Sequence, residues 1–464
     1  MKNNSSLENY AKSIDKNEIF SLMEELYPIC RSITGEGVRK SLKILKKIID
    51  LNIFEVSTGT KVFDWKVPNE WNIKDAYVKN KNGKKIIDFK KSNIHLVSYS
   101  VPVNEKISLK DLKKHLHSLP KKPNSIPYVT SYYKENWGFC LADNKLKLMK
   151  DDYYDVKINS SLKPGSLTYG EYFKKGKISD EVLISVYICH PSLCHDNLSG
   201  VVVSTIFAKI LAKINTYYSY RFIFIPETIG AITWLSKNKK NLSKIKHGLV
   251  ITCVGSGNHI TYKKTRDGNS RIDNVVIETL KEFKEDFEIR EFYPFGSDER
   301  QFCSPGINLP VGVLMRTPYY EYKEYHSADD NLKFIKKKHL NDSLITLCKI
   351  ISKLENEKIS EKPKNKKIIK LKHDTYLNLQ PKCEPQLGRR KLYTMKGASF
   401  GTDKSDPLES FNSVSRQLAI LWMLNFSDGM HSLEDISKKS RLSLELLKKS
   451  AKRLVEKKLL KKLA

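Results

Sequence analysis

The sequence has no apolar stretch that is long enough to cross a lipid bilayer. Its longest apolar runs, at 182–189 and 222–226, fall well short of the roughly 20 residues that a membrane-spanning helix needs. The first residues are polar, and no apolar segment of a secretory signal follows them. We therefore expect a protein without a membrane span that is located in the cytoplasm.

The sequence also has no CxxC pair, although it contains eight cysteines. They are scattered along the chain, and several lie inside apolar runs. This distribution argues against a disulfide framework or a zinc ribbon and predicts free, mostly buried thiols. Cys189 and Cys194 flank His190, and two interpretations are open for them: contact with a metal, or simple filling of the core.

Acidic residues are scarce relative to basic ones. The chain has 82 lysines and arginines against 52 aspartates and glutamates, a formal net charge of +30. Such a charge is compatible with a nucleic-acid or membrane surface. However, the lysines are spread over the whole chain, so we attribute most of the charge to general composition. The last thirty residues are the exception.

At 464 residues, the chain is long enough for two or three domains. Residues 16–50 predict one or two helices around a glycine-rich turn. Short β-like runs at 54–56, 94–99 and 137–140 follow, separated by proline and glycine turns and rich in aromatic residues. They predict a mostly-β inserted domain at 51–176.

The pattern of apolar residues changes at about residue 181, and from there near-continuous apolar runs alternate with helical patterns. Runs of this kind are typical of strands that are buried on both faces of a parallel sheet. The alternation predicts a layered α/β domain formed by 1–50 and 177–360. The predicted strands are 182–189, 222–226, 248–254 and 311–315, and the predicted helices are 198–214, 229–240, 275–283 and 331–354.

The C-terminal region, 373–464, follows a polar linker predicted at 357–372. Three short helical patterns occur near the end of the chain. The first is 417–424, the second starts at Ser432 with a capping-box spacing, and the third is capped by Ser443. Three short helices with tight turns predict a winged helix-turn-helix at about 410–464.

Four residues with metal-binding or acid–base chemistry lie where predicted strands end. His190 and Glu227 directly follow two strands, Asp196 comes six residues after His190, and His326 lies in the loop after strand 311–315. In open α/β sheets, ligands bind at the carboxyl ends of the strands. Histidine and carboxylate suit Zn²⁺, which activates water that a free carboxylate can deprotonate. Each residue alone is more often a surface group or a cap, but their joint placement predicts a zinc site.

The residues around these positions resemble the co-catalytic zinc aminopeptidases. Residues 189–200 are similar to their His…Asp-Asn-x-Ser-Gly signature, and 226–230 to their Glu-Glu-x-Gly segment. The segment from Tyr325 to Asp329 resembles Tyr-His-Thr-x-x-Asp, and 296–307 resembles Ser-Asp-His…Phe…Gly-Ile-Pro. Over nearly its whole length, the chain is similar to a bacterial family of polysaccharide-biosynthesis-associated proteins with an aminopeptidase-like domain.

This resemblance implies a three-layer zinc-aminopeptidase-like (phosphorylase/hydrolase-like) α/β fold, with a β-rich insert and a C-terminal winged helix. It implies that His190, Asp196 and His326 bind the metal, that Glu227 is the catalytic base and that Tyr325 contacts the intermediate. Two ligands of the usual two-metal site are replaced, one by Thr228 and the other in the segment Ile251–Gly255 by Thr252. The resemblance therefore implies one zinc rather than two.

Several further residues have two open interpretations. Asp298 is either a fourth ligand or substrate contact, or a turn cap. Arg31, Arg300 and Arg316 are possible carboxylate or phosphate contacts, or ordinary ion pairs. Tyr325 either holds the intermediate or packs beside His326. His195 is interpreted as a neighbour of the ligands and not as a ligand.

The third tail helix carries lysines at three- and four-residue spacings, including Lys448, Lys449, Lys452, Lys457 and Lys458. This pattern fits phosphate contacts of a recognition helix, a protein contact or a solvated face. We expect a zinc-dependent hydrolase that cleaves an amide in a small peptide or an aminoacyl or N-acyl sugar, in surface polysaccharide or glycoconjugate biosynthesis, with a homo-oligomer possible. The alternative is a metal-binding, non-catalytic scaffold or regulator that acts through the winged helix.

Overall fold

The computed structural model describes residues 4–257, 259–283, 285–356, 373–392, 395–396, 399–400 and 412–463. The predicted linker at 357–372 lies outside the described residues. The helices are α1 (Asn4–Ser13), α2 (Lys16–Leu26), α3 (Glu36–Lys46), α4 (Leu109–Leu112), α5 (Asp143–Lys147), α6 (Ser199–Leu211), α7 (Ile229–Lys237), α8 (Arg271–Lys281), α9 (Glu299–Phe302), α10 (Lys337–Asn356), α11 (Ser413–Phe426), α12 (Leu433–Ser440) and α13 (Leu444–Glu456).

The strands belong to one large sheet and several small ones. They are β1 (Asn52–Ser57), β2 (Lys61–Val62), β3 (Trp65–Lys66), β4 (Glu70–Lys79), β5 (Lys85–Asp88), β6 (Val103–Ser108), β7 (Leu116–His117), β8 (Phe139–Cys140), β9 (Tyr153–Lys163), β10 (Ser166–Lys174), β11 (Glu181–Tyr187), β12 (Ser219–Ile225), β13 (Ile245–Ile251), β14 (Ile260–Lys263), β15 (Phe287–Arg290), β16 (Val311–Met315), β17 (Thr375–Asn378), β18 (Met395–Lys396), β19 (Ser399–Phe400), β20 (Asp428–Ser432) and β21 (Leu460–Lys462).

The large sheet has eight strands in the order β1-β10-β12-β11-β13-β16-β14-β15. Its centre, β12-β11-β13-β16, is parallel, as the apolar runs predict. Strand β10 pairs antiparallel with β12, and β14 pairs antiparallel with β16. The carboxyl ends of the four parallel strands therefore meet at one edge of the sheet.

The large sheet separates two hydrophobic cores, because successive residues of a strand point to opposite faces. In β11, Val182, Ile184 and Val186 join the core beneath α1, α2, α6, α8 and α10, whereas Leu183 joins the core on the other face. Every residue of β11 is buried. The layered α/β architecture is confirmed, and it follows from helices covering both faces of the sheet.

Two regions differ from the sequence-based prediction. The run at 94–99 is not a strand: it contains a 3₁₀ turn at Asn93–His95 and makes isolated bridges to neighbouring segments. The segment is rich in apolar residues because all of it is buried, although it forms no ladder with a neighbouring strand. The short strands β14 and β15 were not predicted. β15 is the edge strand, and its half-exposed, charged side chains break the apolar pattern. β14 is buried, but its four residues include a threonine and a lysine and form no apolar run.

The predicted insert at 51–176 contains its own four-stranded antiparallel sheet, in the order β5-β4-β9-β6. The outer strands of that range, β1 and β10, pair with each other and extend the large sheet through β12. The insert is therefore continuous with the large sheet, and its exact boundaries remain a prediction.

The C-terminal helices α11, α12 and α13 pack with a three-stranded sheet in the order β20-β17-β21. Strand β17 extends this module towards the N-terminus, beyond the predicted start near 410. The predicted capping box at Ser432 and the predicted N-cap at Ser443 are both present. Arg266 anchors the module to the α/β domain, because its guanidinium donates to Asn425 and lies 2.5 Å from Asp428.

All eight cysteines are free, and seven of them are buried, as predicted. None of the helices in the described ranges combines the length and apolar character that a membrane span requires. The lysines Lys448 and Lys452 of α13 lie on its exposed side, opposite the buried Leu447 and Ala451. A contact of this side with DNA or protein remains a prediction.

Candidate functional site

The candidate site lies at the carboxyl edge of the parallel strands. His190 follows β11, Glu227 follows β12, and the segment before α6 carries Asp196. That segment, Cys194–Leu198, is irregular, and its Asp196–Asn197 peptide bond is cis. His326 lies in the long loop between β16 and α10 and has a φ of 49°. Three separate turns therefore bring the four predicted residues together.

His190, Asp196 and His326 form one compact group. Each offers a ligand atom, and these three atoms all lie within 4.8 Å of one another. The Nε2 atom of His326 lies 3.1 Å from Oδ2 of Asp196. Two imidazoles and one carboxylate are the ligands of several catalytic zinc sites, in which a further position stays open. The residues present therefore fit a zinc ion.

Glu227 belongs to a second group that overlaps the first. Its Oε2 atom lies 3.8 Å from Nε2 of His190, and Cys189 offers its sulfur to the same group. The Cys189 sulfur accepts a hydrogen bond from the backbone N–H of Glu227 at 3.2 Å. Burial raises the pKa of the Cys189 thiol well above its usual value, so the thiol stays protonated and acts as part of the core.

The charges of the first group are those that metal ligands need. Burial lowers the pKa of His190 to about 4, so its imidazole is neutral at pH 7. Burial opposes the ionisation of Asp196, but His190, His326 and Tyr187 together hold the pKa of its carboxyl well below the usual range. A neutral imidazole and an ionised carboxylate are the forms that bind metals.

Tyr187 is a site residue that the sequence analysis missed. Its hydroxyl donates to Oδ1 of Asp196 and lies 2.7 Å from the hydroxyl of Thr252. Because the carboxylate only accepts, the Thr252 hydroxyl donates to Tyr187. Tyr187 is the last residue of β11, three positions before His190, and this placement was the available signal.

The acidic residue that supports the Asp196 segment is Asp330 and not Asp329, which the sequence analysis selected. Asp330 is fully buried and accepts the backbone N–H groups of His195 at 2.6 Å and Asp196 at 3.0 Å. Asp329 is exposed. The motif Tyr-His-Thr-x-x-Asp places two residues between Ser327 and the acid, so a correct count along the sequence selects Asp330.

Asp298 and Arg300 lie beside Glu227, but neither belongs to the two groups of close ligand atoms among the described residues. Asp298 accepts the backbone N–H of Thr228 at 2.6 Å, and burial raises its pKa to about 7. Burial, and then the charges of Asp298 and Asp196, raise the pKa of Glu227 well above its usual value. Arg300 forms an ion pair with Glu384 and reaches to 3.5 Å from the Thr228 hydroxyl.

Two predicted arginines do not point into the group of metal-type ligands. Arg31 is buried and donates to the backbone carbonyls of His190 and Leu26, so it supports the chain around His190. Arg316 donates to Ser343 and lies 3.8 Å from Asp342, at the start of α10. His195 is likewise outside the group.

Aromatic rings enclose the two histidines of the group. The ring of Tyr325 stacks on His326 with centroids 3.9 Å apart. Tyr128, which the sequence analysis did not select, lies 5.3 Å from the rings of both His190 and His326. Its backbone N–H donates to the His326 carbonyl at 2.8 Å, so the insert holds the loop that carries His326.

Comparison with known proteins identifies two family matches along the chain. The profile of a family described as a domain of unknown function (DUF4910) matches residues 20–357. The profile of a winged helix-turn-helix family (HTH_47) matches residues 374–462. The predicted C-terminal winged helix is therefore confirmed.

A protein of Clostridium acetobutylicum, provisionally named a polysaccharide biosynthesis protein with aminopeptidase-like domain, is 51% identical over 444 residues, 96% of each chain. A crystal structure from the same organism, provisionally described as a peptidase, shares 48% identity over 99% of both chains, with a TM-score of 0.74. The zinc aminopeptidase BSAP of Bacillus subtilis is 13% identical with a TM-score of 0.55, over 75% of this chain and 97% of that chain. This last likeness shows the fold alone, and it confirms the predicted aminopeptidase-like fold. The chain therefore belongs to the DUF4910 family, as one of its members in which the aminopeptidase-like domain is followed by a winged helix-turn-helix.

Proposed function

We propose that this protein is a zinc-dependent hydrolase that cleaves an amide bond. The observation that carries the proposal is the compact group of His190, Asp196 and His326, whose ligand atoms lie within 4.8 Å of one another at the carboxyl edge of the sheet. These three residues would hold the zinc ion. Its chemistry there would be that of a Lewis acid that polarises a carbonyl and lowers the pKa of water.

Glu227 is the residue that moves the proton in this proposal. Its carboxylate lies 3.8 Å from His190, next to the metal-type ligands, and its side chain retains 25% exposure, so it faces the space that a substrate would enter. A carboxylate in this position takes a proton from the attacking water and passes it to the leaving amine. The role depends on placement, since a general base must lie within reach of the proton that it removes.

Tyr325 is proposed to hold the oxygen that becomes negatively charged during hydrolysis. Its ring stacks on His326 and is only partly exposed. Stacking on a ligand fixes the direction of the tyrosine ring, so its hydroxyl is held in place before the reaction starts. A donor held in this way stabilises the transition state more than the substrate.

The surroundings of Asp196 favour one zinc ion rather than two. A second metal ion would need Oδ1 of Asp196 as a ligand, but Tyr187 donates a hydrogen bond to that oxygen. Thr252, which replaces an expected ligand, supports Tyr187. Oδ2 is the oxygen that faces His326.

For the substrate we propose a small peptide or an aminoacyl or N-acyl sugar, in the biosynthesis of surface polysaccharide or glycoconjugate. The name of the Clostridium acetobutylicum relative combines polysaccharide biosynthesis with an aminopeptidase-like domain. An amide attached to a sugar fits both parts of that name, because the sugar belongs to polysaccharide biosynthesis and the amide is the kind of bond that an aminopeptidase cleaves.

The experiment measures zinc content and hydrolysis in the full-length protein. We expect about one zinc per chain in the wild type, a loss of zinc in His190→Ala and His326→Ala, and retention of zinc in His259→Ala, an exposed histidine outside the group. Glu227→Gln keeps zinc but loses hydrolysis of alanine p-nitroanilide, an alanyl amino sugar or N-acetylglucosamine, whichever the wild type cleaves. Zinc-free protein after zinc-replete expression would refute the proposal. Bound zinc without hydrolysis of any amide would favour the scaffold alternative.

A further inference from the structure

A groove of about 500 Å³ lies beside the candidate site, between the start of α3 and the β-rich insert. One wall comes from residues 27–40, a segment whose glycine-rich sequence takes no part in the proposed hydrolysis. The opposite wall comes from residues 71–73 and 89–93 of the insert. A volume of this size lies within the range of small-molecule sites.

None of the proposed zinc ligands lines this groove, nor do Glu227 and Tyr325. The same chain segments contribute residues to the groove and to the zinc group. Cys30 lines the groove, whereas the next residue, Arg31, donates to the backbone carbonyl of His190. Ser192, two residues after His190, also lines the groove and donates to the carbonyl of Tyr27 at 2.8 Å. The groove is therefore a second, adjacent space.

The N-terminus of α3 opens into the groove. The backbone N–H of Glu36 donates a hydrogen bond to the side-chain oxygen of Asn72 at 2.7 Å. The next residue, Gly37, lines the groove, and its N–H has no hydrogen-bond partner within the described part of the chain. Free N–H groups and the helix dipole together attract anions. Gly37 is needed here, because a Cβ atom would lie 2.0 Å from the Cys30 carbonyl oxygen.

The second wall supplies an independent polar group. Asn93 lines the groove and is only 8% exposed. Its side-chain oxygen has no hydrogen-bond partner among the described residues, and its side-chain nitrogen makes only a long contact of 3.4 Å to the Pro28 carbonyl. A buried amide oxygen without a hydrogen-bond partner is unfavourable, because it has lost its water without replacement. A ligand hydroxyl in the groove would supply the missing donor.

The charge of the groove is positive. Lys40 of α3 and Lys90 and Lys91 of the insert line it, and all three are exposed enough to reach a ligand. The acidic residue of the lining, Glu36, is already paired with Arg39. Half-buried Tyr27 and Phe89 add apolar surface at the sides.

We propose that this groove binds a small molecule that carries both an anionic group, phosphate or carboxylate, and hydroxyl groups. The anionic group lies at the start of α3, among the lysines. A ligand hydroxyl donates to the side-chain oxygen of Asn93. The site is distinct from the zinc group, and its occupancy does not depend on whether the chain hydrolyses amides.

The test is isothermal titration calorimetry with the full-length protein. The probes are glucose 1-phosphate, glucuronate, inorganic phosphate and neutral glucose. We expect glucose 1-phosphate or glucuronate to bind and glucose not to bind, and the pair of charged sugars separates a phosphate from a carboxylate preference. The double substitution Lys40→Gln/Lys90→Gln should weaken binding at least 10-fold, and Asn93→Leu should weaken the charged sugar more than inorganic phosphate.

Lys43→Gln is the matched control, because Lys43 lies on the same helix α3, is exposed and does not line the groove. It should leave binding unchanged. Lys40 and Lys90 are exposed, so circular dichroism should show an unchanged fold in the double variant. The proposal is wrong if neither charged sugar binds at millimolar concentration, or if Lys43→Gln weakens binding as much as the double variant does.

Discussion

Tyr187→Phe is the substitution that tests the environment of Asp196 most directly. The Tyr187 hydroxyl donates to Oδ1 of Asp196 and accepts from Thr252, so its removal leaves both groups without that partner. The ring remains, and Phe fills the same volume in the core. The change therefore removes two hydrogen bonds, one to the charged Asp196 and one from the neutral Thr252, and little else.

Two separate lines of reasoning give the size of the effect. A hydrogen bond to a charged group contributes about 1.5–3 kcal/mol. Loss of a group that orients a metal ligand typically lowers metal affinity by about 10- to 100-fold. At about 1.4 kcal/mol for each factor of ten, that range corresponds to about 1.4–2.7 kcal/mol. We therefore expect Tyr187→Phe to bind zinc about 10- to 100-fold more weakly than the wild type.

The assay is competition for zinc against a chromophoric chelator of known affinity. Tyr220→Phe is the matched control: Tyr220 is also buried, on the neighbouring strand β12, and its hydroxyl donates to Glu355 at 2.7 Å. It should lose a comparable amount of stability but keep wild-type zinc affinity. Wild-type affinity in Tyr187→Phe, or an equal loss in Tyr220→Phe, would refute the assignment of Tyr187 as the residue that orients Asp196.

Two further predictions concern the supports of the site and of the winged helix. Lys263→Met should lower the free energy of unfolding by about 3–5 kcal/mol in urea titrations, because the Glu299 carboxyl would lose its partner in an ion pair that is 0% exposed on both sides. Lys263→Met/Glu299→Leu should recover most of that loss, and a double variant as unstable as the single one would contradict this account. Although burial opposes its ionisation, His431 and Arg266 hold the pKa of Asp428 at about 2. This depressed pKa stabilises the fold above about pH 4, and the stabilisation is lost as the pH falls towards 2. Asp428→Asn should therefore cost up to about 2 kcal/mol at pH 7 and about half of that at pH 3, as measured by urea unfolding at each pH, and an equal cost at both would count against the pair.

The central strands could be predicted because each is buried on both faces, which leaves an unbroken apolar run in the sequence. The edges of the large sheet could not. Strands β1 and β10 alternate in the same way as the strands of the insert, and only pairing with β12 assigns them to the large sheet. Alternation shows which face of a strand is buried but not which strand lies beside it.

The same limit applies to the site. His190, Asp196, Glu227 and His326 follow strands or motifs, so their positions could be found in the sequence. Asp330 could also have been found by counting the two residues that the motif places after Ser327, but its contact with the backbone of His195 and Asp196, over 130 positions away, could not. Contacts of this kind come from loops that meet only in the folded chain.

The surroundings of Thr252 and Thr228 both support the proposal of one zinc ion rather than two. One expected carboxylate ligand is replaced by Thr252, whose hydroxyl supports Tyr187 against Asp196. The other is replaced by Thr228, and the guanidinium of Arg300 lies 3.5 Å from its hydroxyl. The guanidinium of Arg300, which is ion-paired with Glu384, has no lone pair to offer a metal ion. The two replaced ligands therefore support the single zinc ion that we propose, because two threonine hydroxyls and an arginine lie where the resemblance places ligands for a second metal.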